Sequence, residues 1–129
     1  MEKYFKILQD TIEKAYAPYS KFKVAALVED CKGNIFTGCN IENASYGLTV
    51  CAERVAIFRW WMGGGGLIKC ICVYTPTDSF TPPCGACRQV IVEFVDDVDI
   101  YIFNKDGKFR KYTLGEILPY SFKLKKGGK

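Results

Sequence analysis

A chain of 129 residues with 49% hydrophobic and 25% charged side chains has the makeup of one globular domain with its own core, which excludes a disordered or low-complexity protein. The net charge of +4 comes partly from the terminal "KLKKGGK" and so does not mark a basic face for polynucleotides. Seven cysteines, an odd number, fit poorly with a fully paired disulfide framework, and the absence of histidine excludes Ser-His and Cys-His nucleophilic machinery.

The expected organisation is a single domain over 1–122 and a flexible basic tail over 123–129. The opening "MEKYFKILQDTIEK" places charges at helical spacing and lacks an unbroken apolar core. It therefore reads as neither secretory signal nor membrane anchor, and a cytoplasmic protein without a membrane or nucleic-acid partner is expected. Phe5, Leu8, Ile12 and Ala15 recur at three- and four-residue steps and predict an amphipathic first helix, closed off by Pro18. Strand-like runs at 22–30 and 34–40, joined around Gly33, predict a hairpin.

The segment 51–62, "CAERVAIFRWWM", is helical in pattern and nearly free of a polar face, so its helix should be central or buried between subunits. Gly63 to Gly66 end it. A strand at 67–75, a helix at 85–94, a strand at 98–104, a turn at 105–108, a short strand at 109–112 and a helical turn at 114–119 complete the chain. Strands alternating with helices after an opening hairpin predict a three-layer α/β/α fold around a central mixed five-stranded sheet.

The chemistry concentrates at two helix starts. Cys84 and Cys87, just after Pro82 and Pro83, place two sulfurs on one face of a first turn, where the helix dipole favours thiolates; the pair alone suits zinc, dithiol redox chemistry or plain burial. Upstream, Cys51 also opens a helix, with Glu53 two residues on. C-x-E followed by P-C-x-x-C is the pattern of the zinc deaminases in a three-cysteine form, leaving the fourth metal position open for catalysis. Glu53 then stands where a carboxylate reaches metal-bound solvent without ligating. Three thiolates on one divalent ion leave a net charge of about −1, and Arg54 and Arg88, each beside a motif residue, are placed to offset it by donating to ligand sulfurs. Cys31, Cys39, Cys70 and Cys72 are the other thiols; the last two sit in an alternating apolar strand, the setting of inert buried cysteines.

"TGCNIENASYG", "CAER" and "PCGACRQ" together resemble the small homotetrameric cytidine deaminases, and the likeness runs from about 16 to 122. The resemblance implies one zinc per subunit on Cys51, Cys84 and Cys87, proton transfer by Glu53, and softening of the thiolates by Arg54. It implies a nucleoside substrate, with Asn40 and Glu42 on the ribose hydroxyls, Phe22 packed on the pyrimidine and Ala52 also in contact. Ala44, Tyr46 and Phe122 match residues that reach a neighbouring subunit's site. The chain departs from the family at the four glycines, at Trp60 and Trp61, and at Ala25, where glycine is more usual. The implied reaction is hydrolytic deamination of cytidine and 2′-deoxycytidine. Its rivals are a deaminase of another cytosine-bearing small molecule, such as a nucleoside antibiotic, and a non-enzymatic zinc-stabilised module, in which C-x-E would have no purpose.

Overall fold

Side-chain alternation along β1 (Ala25–Asp30) divides the core in two. Ala25 and Leu27 join Cys70, Cys72, Tyr74 and Phe103 under α1 (Glu2–Ile12), which contributes Leu8 and Ile12. Ala26 and Val28 face the other way, with Ile71, Ile100 and Ile102, toward α2 (Ala52–Met62) and α3 (Gly85–Phe94), which contribute Ala56, Ile57, Trp60, Ile91 and Val92. The computed structural model describes residues 1–124 and 126, so the expected basic tail falls largely on positions outside the described residues.

The remaining strands are β2 (Ile35–Cys39), β3 (Ile68–Tyr74), β4 (Asp99–Phe103) and β5 (Phe109–Thr113), followed by the short α4 (Leu114–Ile117). The sheet order is β2-β1-β3-β4-β5; β3 and β4 run parallel, and the other neighbours antiparallel. The predicted three-layer architecture with a mixed five-stranded sheet is thus the observed one.

Three local differences have physical causes. The first strand begins at Ala25 rather than at 22, because the Asn40 side chain takes the Phe22 carbonyl and the Val24 N–H out of ladder pairing. Ala15 lies beyond the first helix, whose last turn closes at Glu13. Tyr46–Leu48 form a 3-10 turn that no periodicity announced. The glycine run ends α2: the N–H groups of Gly63 and Gly65 donate to the Trp60 carbonyl, and the Trp60 indole N–H donates to the Gly66 carbonyl at 2.8 Å. Among the described residues no helix is long and apolar enough to cross a membrane.

Candidate metal centre

Two helix heads meet at one point. Cys51 is the N-cap of α2, and Cys84 is the N-cap of α3, its sulfur accepting from the Cys87 N–H at 3.5 Å. Cys84 and Cys87 sulfurs lie 3.5 Å apart, and those of Cys51 and Cys84 lie 3.9 Å apart. Among the described residues these three form the one Cys/His/Asp/Glu cluster with metal-holding spacing, all sulfurs lying within 4.8 Å of one another.

The donor set fits zinc. Tetrahedral Zn–S bonds of about 2.3 Å place sulfurs roughly 3.8 Å apart, close to the separations found. Cys31, Cys39, Cys70 and Cys72 are outside this cluster, and the latter two face α1 on the opposite side of the sheet, so the set stops at three. Both helix N-termini point their dipoles at the sulfurs, which lowers the cost of ionising them.

Arg54 lies against the nearest of these sulfurs. Its Nη2 donates to the Cys51 sulfur at 3.2 Å, and its Nε is the one buried side-chain polar atom among the described residues that has no partner. A hydrogen bond from the Cys87 thiol, helped by Arg54, holds the Cys51 thiol down at about 5, while that same bond and burial push Cys87 up.

Arg88 corrects the sequence expectation. Its Nε donates to the Pro83 carbonyl and its Nη1 to the Ile117 carbonyl, each at 2.7 Å, so its hydrogen bonds clamp the backbone before Cys84 to the end of α4 instead of reaching sulfur. One position after Cys87, its side chain leaves α3 toward α4 rather than toward the cluster.

Glu53 is 5% exposed in the first turn of α2. Burial, reinforced by the Cys51 charge, pushes its carboxyl up to about 7. It lies on a cleft of about 270 Å³ lined also by Phe22, Asn40, Glu42, Cys51, Ala52 and Cys84, so seven of the residues singled out in the sequence share one hollow. Asn40 and Glu42 are already engaged there. The Asn40 amide holds the backbone at Phe22 and Val24, and the Glu42 carboxylate accepts from Tyr19 and Ser20, bonds that hold it below the ordinary carboxylate range.

Ala44, Tyr46 and Phe122 lie outside that hollow. Tyr46 is 79% exposed and Phe122 65% exposed; Tyr46 lines an adjoining hollow that shares Ser20, Glu42 and Thr49 with the cleft. The sequence reading missed Ser20, Thr49, Thr75 and Thr81, all of which line the cleft. Thr75 follows the carboxyl end of β3, where open α/β sheets place ligands, and that rule could have found it.

The chain matches, over residues 1–103, the family described as the cytidine and deoxycytidylate deaminase zinc-binding region. It is 45% identical over 111 residues to a cytidine deaminase of Halalkalibacterium halodurans, covering 85% of this chain and 84% of that protein. A cytidine deaminase of Mycoplasma pneumoniae is 43% identical over 122 residues, covering 90% and 89%. The crystal structure of cytidine deaminase from Burkholderia pseudomallei superposes with a TM-score of 0.88 at 41% identity, covering 94% of this chain and 98% of that one.

Proposed function

The chain belongs to the cytidine and deoxycytidylate deaminase family and is a zinc-dependent hydrolytic cytidine deaminase; from that premise we propose how its own residues serve the reaction, and that 2′-deoxycytidine is a substrate as well. The observation that carries the reading is the convergence of three sulfurs at one point, where two of them, Cys51 and Cys84, line a single cleft together with the buried carboxyl of Glu53. The reaction consumes one water and releases ammonia, exchanging the exocyclic amine at C4 for oxygen.

Cys51, Cys84 and Cys87 would hold the zinc, which when bound would supply a water acidic enough to act as nucleophile near neutral pH. Glu53 takes a proton from the attacking water, gives it to the ring nitrogen beside C4, and then carries the remaining proton of that water from the new oxygen at C4 to the departing amine. Its buried carboxyl, titrating near 7, suits both directions of transfer. Arg54 donates to Cys51 and offsets the excess negative charge of three thiolates. Phe22 packs on the pyrimidine, Ala52 closes the cleft wall, and Asn40 and Glu42 take the ribose hydroxyls.

We assign the protein to cytoplasmic pyrimidine salvage, acting on free nucleosides, and to a homotetramer. Phe58 and Met62 on α2, with Ile41, Val50 and Val55, line an open apolar hollow that supports subunit contact, and the exposed Ala44, Tyr46 and Phe122 are then free to reach a neighbour's cleft. Parallel assays on cytidine, 2′-deoxycytidine, cytosine and a short cytosine-containing oligonucleotide test the assignment. Both nucleosides should lose their absorbance band and release ammonia; zinc-loaded protein that leaves cytidine intact would overturn it.

A further inference from the structure

The short segment before β1 is tied across the mouth of the cleft by one hydroxyl. Glu42 Oε1 accepts from the backbone N–H of Tyr19 at 3.0 Å and of Ser20 at 3.1 Å, and its Oε2 accepts the Ser20 hydroxyl. The same Ser20 oxygen accepts from the backbone N–H of Phe22 at 3.0 Å, while the Phe22 carbonyl accepts from Asn40 Nδ2 at 2.8 Å. The peptide groups on both sides of the Phe22 ring are thereby pinned. Between Ser20 and Phe22, Lys21 adopts φ 61, a left-handed conformation that a residue with a Cβ keeps only where its neighbours dictate it.

A serine hydroxyl offers one donor and two acceptor sites, and here the donor and at least one acceptor are used. Donating to an ionised carboxylate makes that bond charge-assisted, and it polarises the oxygen as an acceptor for Phe22. We propose that Ser20 is a positioning residue that couples the sugar end of the cleft to its base end, its hydroxyl linking the Glu42 carboxylate to the backbone that aims the Phe22 ring. A nucleoside hydroxyl bonding Glu42 and a pyrimidine lying on Phe22 then act on one connected unit. The coupling rests on the deaminase reading and on the roles it gives Glu42 and Phe22.

The test is steady-state kinetics on cytidine with the zinc-loaded wild type, Ser20→Ala, Ser20→Thr, Glu42→Gln and the Ser20→Ala/Glu42→Gln double variant. Loss of a hydrogen bond to a charged group at an exposed site should raise KM about tenfold in Ser20→Ala, with kcat within about twofold because ground state and transition state lose the same binding. Ser20→Thr keeps a hydroxyl and should recover most of the loss. In the double variant, Ser20→Ala should add little to Glu42→Gln. Zinc content of Ser20→Ala should match the wild type, and the variant should remain folded, with its unfolding midpoint lowered by no more than the loss of one hydrogen bond. Unchanged kinetics in Ser20→Ala, a fall in kcat alone, failure of threonine to rescue, or additive effects in the double variant would each overturn the coupling. An inactive wild type would instead overturn the deaminase reading itself.

Discussion

Replacing Gly38 by alanine probes how the fold places the carboxyl of Glu53. At Gly38, β2 crosses α2 so closely that a Cβ would stand 2.5 Å from the Ala56 nitrogen, 2.6 Å from the Ala52 carbonyl oxygen and 3.0 Å from the Val55 Cβ. The first two are backbone atoms, so no change of rotamer relieves the clash. Carbon needs roughly 3.5 Å from such neighbours, and α2 must therefore move off the sheet by about 1 Å. Overpacking of this kind costs about 1–3 kcal/mol, and the rigid contact puts Gly38→Ala toward the upper end. The shift also carries Cys51 and Glu53, which sit at the head of α2, and a displacement of about 1 Å at a reacting group lowers kcat by roughly a hundredfold. Urea unfolding and kcat on cytidine measure the two effects. Gly115→Ala is the control, since its Cβ would meet only Asp97 Oδ2, at 3.9 Å, and both quantities should stay near the parent's. A Gly38→Ala protein within about 0.5 kcal/mol of the parent, with parental kcat, would refute the close contact and the reasoning built on it.

Three further outcomes follow from the site. Glu53→Gln should keep its zinc and lose activity by a factor of about 10² to 10⁴ or more; metal analysis beside the cytidine assay checks it, and substantial turnover in the variant excludes the proton-transfer role. Arg54→Gln removes the donor to Cys51 and should weaken zinc binding about 10- to 100-fold, measured by competition with a chromophoric chelator. In protein stripped of zinc, Glu53 also sets a pH dependence. Its folded value of about 7 stands above the ordinary 4.5, so its contribution to stability is complete below about 4.5 and is lost as pH rises through 7, a change of about 3 kcal/mol. The depressed Cys51 thiol acts in the opposite sense, losing its contribution as pH falls through about 5, so the quantity to follow is the difference between the wild type and Glu53→Gln. That difference should grow in favour of glutamine between pH 4.5 and 8, and parallel unfolding curves would contradict it.

Most of the layer order was legible because it rests on local periodicity. Alternation in β3, with Cys70, Cys72 and Tyr74 on one face and Ile71 and Val73 on the other, is a two-residue pattern that survives tertiary packing unchanged. The start of β1 was not legible, because the competitor for its backbone groups is Asn40, 16 to 18 residues away, whose side chain captures both Phe22 and Val24. The fate of Arg88 was hidden for the same reason. Adjacency to Cys87 suggested a role at sulfur, but its partner Ile117 lies 29 residues on, in an element whose docking no sequence pattern specifies.

The same contrast of range explains why the metal ligands could be read from spacing, whereas Glu42 and Phe22 at the mouth of the cleft came from the family resemblance alone. C-x-E and C-x-x-C fix their side chains relative to one another within a single helical turn, so spacing alone determines which atoms share a face. What spacing leaves open is whether the two turns meet, and they do because α2 and α3 pack on the same face of the sheet with their N-termini together. At the mouth the order is reversed: Glu42, Ser20 and Phe22 are individually unremarkable residue types, and their joint role depends on hydrogen bonds to Glu42 that cross 22 and 23 positions of chain, joined to the short link from Phe22 to Ser20. Metal binding that needs several donor atoms fixed on one ion is therefore written in short motifs, whereas substrate recognition at the cleft mouth depends on loops whose geometry emerges only once the sheet is assembled.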